Sequence, residues 1–145
     1  MAQLLFDDIN LGDKYVGTSI TITDAHVVIF AGLTGDFYGL HMNEEFAKNT
    51  PFKGRIAHGA LTFVVGLGMI ASQMAQMKVV AALGFEKVKF AAPVKIGDTI
   101  TSEAEVIEKK SKSDKAGAVW VSLKIKTQDG TVAIDTKMGV LVSKA

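Results

Sequence analysis

ALTFVVGLGMIASQMAQM, residues 60–77, is the stretch whose reading decides the fold. It is apolar nearly all round and carries neither Asp nor Glu. A helix with that pattern is buried on most of its sides instead of lying on a surface. Gly66 and Gly68 cost helix propensity, so a helix that keeps them lets another element pack closely there. Its most apolar part, Ala60 to Ala71, is interrupted by Thr62, Gly66 and Gly68 and falls short of a bilayer span.

Downstream the periodicity changes. Phe85 to Val94 reads as a strand before a Gly97-Asp98 turn, and Thr99 to Lys110 as another before the polar turn at 111–117. Val119, Val121, Leu123 and Ile125 alternate with Trp120, Ser122, Lys124 and Lys126, the pattern of a half-buried strand. Asp129-Gly130 is a hairpin signal, and Val132, Ile134, Met138, Val140 and Val142 then fall on one face of a last strand. Upstream, Lys14 to Thr23 is rich in β-branched residues and ends at a helix cap, Thr23-Asp24. Val27, Phe30 and Leu33 follow at helical spacing until Gly35. Asn43 caps a second short helix, with Glu44 and Glu45 in its first turn and Pro51 ending it. The sum is one α+β domain over 1–145: a strand, short helices, a long buried helix, then an antiparallel meander. Such a sheet buries one face on the helix, and its free edges favour a second copy.

The chain has 145 residues, 48% of them hydrophobic, and a formal net charge of +1, which offers nothing to nucleic acid or an anionic membrane. Cysteine is absent, so disulfides, thiolate metal sites and cysteine nucleophiles are excluded. The start, MAQLLFDDINLGDK, has no basic segment leading into an apolar run, and a cytoplasmic location is expected.

The chemistry is concentrated just before the long helix, in TGDFYGLHMNEEFAKNTPFKGRIAHGA, residues 34–60. Asp36 and His41 stand five positions apart in a turn-prone, glycine-flanked stretch. His58-Gly59 stands where the helix begins. This offers an acid/base pair beside a helix N-terminus that stabilises negative charge. Arg55, the only arginine, lies in the same segment. The histidines at 26, 41 and 58 show no ligand spacing, and no metal is expected.

Gly35-Asp36, the run Phe37-Tyr38-Gly39-Leu40-His41, then Phe52, Gly54, Ile56 and His58-Gly59 resemble the core pattern of the MaoC-like dehydratases, the (R)-specific enoyl-CoA hydratases of the hot-dog fold. Phe6-Asp7-Asp8, Gly12-Asp13, Pro93-Val94 and Gly97-Asp98 match that family's flanks, so the likeness spans nearly the whole chain. Two positions depart from it. The family's Asn-Pro falls on Tyr38-Gly39, and an acidic residue after the histidine is replaced by Asn43.

The resemblance implies an antiparallel sheet wrapped around the long helix, with short overhanging helices bearing the active-site loop. It implies hydration of a trans-2-enoyl thioester of coenzyme A or an acyl carrier. Asp36 and His41 would hold the water and share two proton transfers, and the Gly59 N–H would face the thioester oxygen. Phe37, Tyr38, Phe52, Arg55 and His58 would contact substrate, with His58 also able to cap the helix or orient the loop. Phe30 and Phe63 are further candidates for an acyl tunnel, and Lys53, Lys87, Lys89 and Lys95 for coenzyme A phosphates. No cofactor is implied, and the assembly would be a homodimer or larger.

Two rivals stand beside this reading. A hot-dog thioesterase would resemble Asp36, Gly39, His41 and Asn43 shifted by one residue, but such enzymes often carry a carboxylate on the long helix. A non-catalytic acyl-thioester-binding subunit would account for Tyr38-Gly39.

Overall fold

The computed structural model describes residues 3–145; Met1 and Ala2, where the segment read above for a leader begins, lie outside them. A 3-10 turn at Phe6–Asp8 leads into two short strands, β1 (Lys14–Val16) and β2 (Ile20–Thr21). The expected single strand over 14–23 is therefore broken around Gly17. At the break the chain passes close to the backbone of Met69: a Cβ on Gly17 would lie 3.0 Å from its carbonyl carbon and oxygen.

Helix α1 (Asp24–Thr34) has the expected limits. Thr23 caps it, its backbone N–H donating to His26 Nδ1 at 3.0 Å, and Gly35 closes it at φ 81°, where a side chain would be strained. A one-turn helix α2 (Gly39–Met42), which the sequence does not signal, precedes α3 (Glu44–Ala47). Asn43 caps α3 as expected, its side-chain oxygen accepting from the Phe46 N–H at 3.0 Å. The helix stops at Ala47, ahead of Pro51.

Helix α4 (Gly59–Met74) is the long helix, beginning one residue before its apolar pattern and ending three residues before Met77. It buries Leu61, Thr62, Gly66, Met69, Ile70 and Met74. The opposite side, with Val64, Gly68 and Ala71, is open in the single chain, so burial is one-sided where burial on most sides was expected. The long strands follow: β3 (Val79–Phe90), β4 (Thr99–Ser111), β5 (Ala116–Thr127) and β6 (Val132–Ser143).

β3 begins six residues before the expected Phe85 and ends before Pro93. Its position also differs from a simple meander. The sheet order is β1-β4-β5-β6-β3, with β2 also on β4, so β3 crosses to the far edge and pairs with β6. β4, β5 and β6 form the meander proper, antiparallel throughout. Ile134, Thr136, Met138, Val140 and Val142 bury one face of β6, and Val132 is only half-buried beyond a register shift. This is the hot-dog arrangement, a six-stranded sheet curled around one helix.

The contact between α4 and the sheet is closest at Gly66. A Cβ there would overlap Ile125 Cδ1 and lie 2.6 Å from Ile125 Cγ1, while Ser102 Oγ donates to the Gly66 carbonyl at 2.7 Å. Trp120, on the polar side of the β5 alternation, covers Gly139 on the neighbouring strand, its ring 2.7 Å from where a Cβ would stand. Met69, Met74 and Met77 are core residues.

Gly66→Ala is therefore expected to destabilise the fold by about 1–3 kcal/mol through overpacking. Adding Ile125→Val should recover part of that loss. Thermal denaturation of the two single variants and the double variant measures this coupling, and additive losses would contradict the contact.

Candidate active site

Asp36 and His41 are brought together by two tight turns. α1 ends at Gly35, and residues 35–38 swing out as an exposed loop on which the Asp36 carboxylate accepts from the Tyr38 N–H at 3.3 Å. α2 then turns the chain back inward, so His41 is buried. Its Nδ1 lies 2.8 Å from the Ile56 carbonyl oxygen. A carbonyl only accepts, so Nδ1 carries the proton and Nε2 of the neutral ring presents a lone pair.

His58 comes from a third segment, 17 residues further along the sequence than His41. It is the N-cap residue of α4 but makes no side-chain cap. Instead its Nε2 lies 2.9 Å from the backbone carbonyl oxygen of Asp36 and donates to it. Its ring stacks on that of His41, with centroids 4.0 Å apart and planes inclined by 29°, and Phe30 packs against it at 4.9 Å.

One ligating atom each from Asp36, His41 and His58 thus falls within 4.8 Å of the others. The sequence spacing gave no sign of this cluster, which the fold alone creates. The two imidazoles lie nearly face to face, so their in-plane lone pairs do not converge on one point, as the ligands of a metal ion must. The arrangement suits proton transfer at the exposed Asp36 carboxylate and the His41 nitrogen.

Beside them opens an apolar pocket of about 550 Å³, lined by His41, Phe52, Ile56, Ala57, Gly59, Ala60, Thr62, Phe90 to Val94, Ala133 and Ile134. The first-turn N–H groups of a helix have no partner within it. Here no side chain caps them, and Gly59 and Ala60 line the pocket. The ring of Phe90 rests on Gly59, 2.7 Å from where a Cβ would stand. Any larger residue at position 59 would push that ring away.

The other sequence candidates are spread differently. Phe52 lines the pocket; Phe37 and Tyr38 are exposed outside its lining, at 61% and 58%. Phe63 packs edge-on against Phe85 at 5.0 Å, away from the lining. Arg55 also lies outside it, donating to Asp24 at 2.7 Å and Glu44 at 3.1 Å. The hydrogen bond to Asp24, and then that to Glu44, pushes its pKa above the ordinary guanidinium value against the effect of burial. It ties the start of α1 to α3 across the loop that carries Ile56. Lys53, Lys87, Lys89 and Lys95 are exposed. Phe90, Thr62 and Ile134 escaped the sequence reading, because nothing in an apolar strand or helix distinguishes a pocket wall from a core.

The two histidines should hold opposite tautomers, His41 as Nδ1–H and His58 as Nε2–H. Long-range proton–nitrogen NMR correlations above the imidazole titration range test this, and the same tautomer at both would contradict the geometry.

A model of the family described as MaoC like domain matches residues 9–128. An (R)-specific enoyl-CoA hydratase from Rhodospirillum rubrum is 35% identical over 101 residues, covering 70% of this chain and 68% of that protein. One of the same description from Aeromonas caviae is 36% identical over 110 residues, covering 76% and 78%. An X-ray structure from Archaeoglobus, described as a monoamine oxidase regulatory protein, superposes with a TM-score of 0.95 at 36% identity. It covers 100% of this chain and 97% of its own. The share of a relative's length that is spanned varies, and is 35% for protein MaoC of Klebsiella aerogenes.

Proposed function

The chain belongs to the MaoC-like domain family, and on that premise we propose that it is a hydro-lyase acting on acyl thioesters. It adds water reversibly across the double bond of a trans-2-enoyl thioester, giving the (R)-3-hydroxyacyl thioester. The observation that carries this reading is the meeting of the Asp36 carboxylate and the His41 ring, within 4.8 Å, beside an apolar pocket lined by the uncapped start of α4.

A water hydrogen-bonded to both groups at about 2.8 Å each spans a separation of that size. In the forward direction the water oxygen bonds to Cβ as one of its protons passes to the pair, and the pair returns a proton to Cα. The proton count closes within the pair, so acid and base are properties of the two groups together. Charge that builds on the thioester oxygen meets the Gly59 N–H, a donor worth about 3 kcal/mol when well aimed. The acyl chain lies among Phe52, Ile56, Phe90 and Ile134, and no cofactor enters the scheme. Phe37 and Tyr38, on the exposed loop beside Asp36, are the further substrate contacts of this reading, and the Tyr38 ring lies 6.3 Å from that of His41.

Two further elements of the reading rest on the chain's surface. β3 pairs with β6 on one side only, at the end of the sheet, and Val79, Val80 and Leu83 are exposed along it. A free apolar edge of this kind supports a homodimer formed across β3. All long strands of the described residues join one sheet, which supports a single hot-dog domain over 1–145. Among the described residues, no helix is long and apolar enough to cross a membrane. A coenzyme A thioester is a metabolite of the cell interior, which supports a cytoplasmic location.

Hydration of crotonyl-CoA, followed as loss of the enoyl-thioester absorbance, is expected to yield the (R)-alcohol. Asp36→Ala should lower turnover by about 10²- to 10⁴-fold. Free thiol released without hydration would replace this reading with a thioesterase. Unchanged thioester binding with no turnover in either protein would leave a binding subunit.

Leu83→Lys, which places a charge on the free edge, should convert the dimer to a monomer by light scattering. An unchanged mass would remove β3 from the interface.

A further inference from the structure

Asp36 sits on an exposed loop that has few ties to the rest of the chain. Its own N–H reaches Thr34 Oγ1 at 3.3 Å, and its carboxylate reaches only the neighbouring Tyr38 N–H, also at 3.3 Å. Both are long, local bonds, and both move with the loop. Among the described residues, the one hydrogen bond that fixes residue 36 to a distant element is the 2.9 Å bond donated by His58 Nε2 to its carbonyl, across 22 residues.

His58 is well made for such a role. It is 2% exposed, held between Phe30 and His41, and starts a helix of 16 residues anchored on the sheet at Gly66. Its other ring nitrogen, Nδ1, is buried with no hydrogen-bond partner among the described residues. Leaving a buried acceptor unpaired costs about 1–3 kcal/mol, so on stability grounds alone an apolar ring would serve better at this position. A structural account of His58 therefore has to explain why an imidazole is kept, and the Nε2–H bond to Asp36 supplies the reason.

From this geometry we infer that His58 is a positioning residue: it fixes the Asp36 loop by its backbone, and its stacked ring sets the plane of His41. Both members of the acid/base pair then take their place from one side chain at the start of α4. Its face packs on the His41 imidazole and its edge holds the carboxylate-bearing loop. The same helix start offers the Gly59 N–H, so pair and oxyanion donor are fixed relative to one another through consecutive residues, 58 and 59. This assignment rests on the hydratase reading for its kinetic consequences but not for the tether itself.

Two substitutions separate the edge of the ring from its face. His58→Phe keeps an aromatic ring against Phe30 and His41 but removes the donor. His58→Gln keeps an amide donor near the Nε2 position but removes the ring. The Phe variant is expected to lower kcat by on the order of 10²-fold, the effect of a misplacement of about 1 Å, with KM nearly unchanged. Its melting temperature should be no lower than that of the wild type, since the unpaired nitrogen is gone. The Gln variant should recover the part of kcat lost with the Asp36 tether but stay below the wild type, since no ring stacks on His41.

A second readout needs no turnover. The backbone order parameter of Asp36, measured by nitrogen-15 relaxation, should fall from the rigid range near about 0.85 in the wild type to below about 0.6 in the Phe variant. It should stay high in the Gln variant. If the phenylalanine ring does not fit and the protein fails to fold, His58→Leu removes the donor in its place.

A Phe or Leu variant with wild-type kcat, an Asp36 amide equally ordered in all variants, or a Gln variant as impaired as the Phe variant would each overturn the tether. If the wild type hydrates no enoyl thioester, the hydratase reading fails instead, and the order parameters still decide the role of His58.

Discussion

Helix α4 can approach the sheet only as closely as the side chains between them allow, and at two places there are none. Gly66 lets the helix settle onto Ile125 and Ser102, and Gly17 lets β1 pass against the backbone of Met69. A methyl group at either position meets atoms that have nowhere to go. This close seat fixes the height and direction of the helix, and with them the place where it starts. His58, Gly59 and the uncapped first turn are consequences of that seat, as is the pocket closed by β6 residues Ala133 and Ile134 and the 91–94 segment after β3. The chemistry stands on a packing decision made two turns further along the helix.

The functional residues themselves contribute little to stability and in places oppose it. His58 keeps an unpaired nitrogen in the interior, and Asp36 stands on an exposed loop. Around them the chain compensates with ordinary devices: the Arg55 bonds to Asp24 and Glu44, the Asn43 cap, and the Gly35 helix stop. Arg55 illustrates why a lone charge in a dense motif is ambiguous. Its carboxylate partners lie 31 and 11 residues away, and only the fold decides whether a guanidinium meets substrate or protein.

What was legible in the sequence follows from locality. α1 was readable because Thr23 and Gly35 mark its ends by local backbone chemistry, and β4 to β6 because alternation and Asp129-Gly130 are local too. The class of fold and the Asp36–His41 pair were legible through the family resemblance. β3 was misplaced because Val79 to Leu83 continues the apolar run of the helix, and its exposure on both faces removes the alternation that would have announced a strand. Its pairing with β6 depends on a crossover that no short window encodes. The stacking of His41 on His58 and the breadth of the pocket wall were equally out of reach, since each joins segments with nothing in common until the chain has folded.

The hydrogen bond from His58 falls on the carbonyl of residue 36 and not on its carboxylate, and this has a consequence for how such a site can change over time. Every amino acid has the same carbonyl. The scaffold therefore holds that position without regard to the side chain it carries, and the loop accepts a different functional group there with its path unaltered. Geometry and reactivity are inherited separately in this fold: one is written into the start of a helix, the other into a single replaceable side chain.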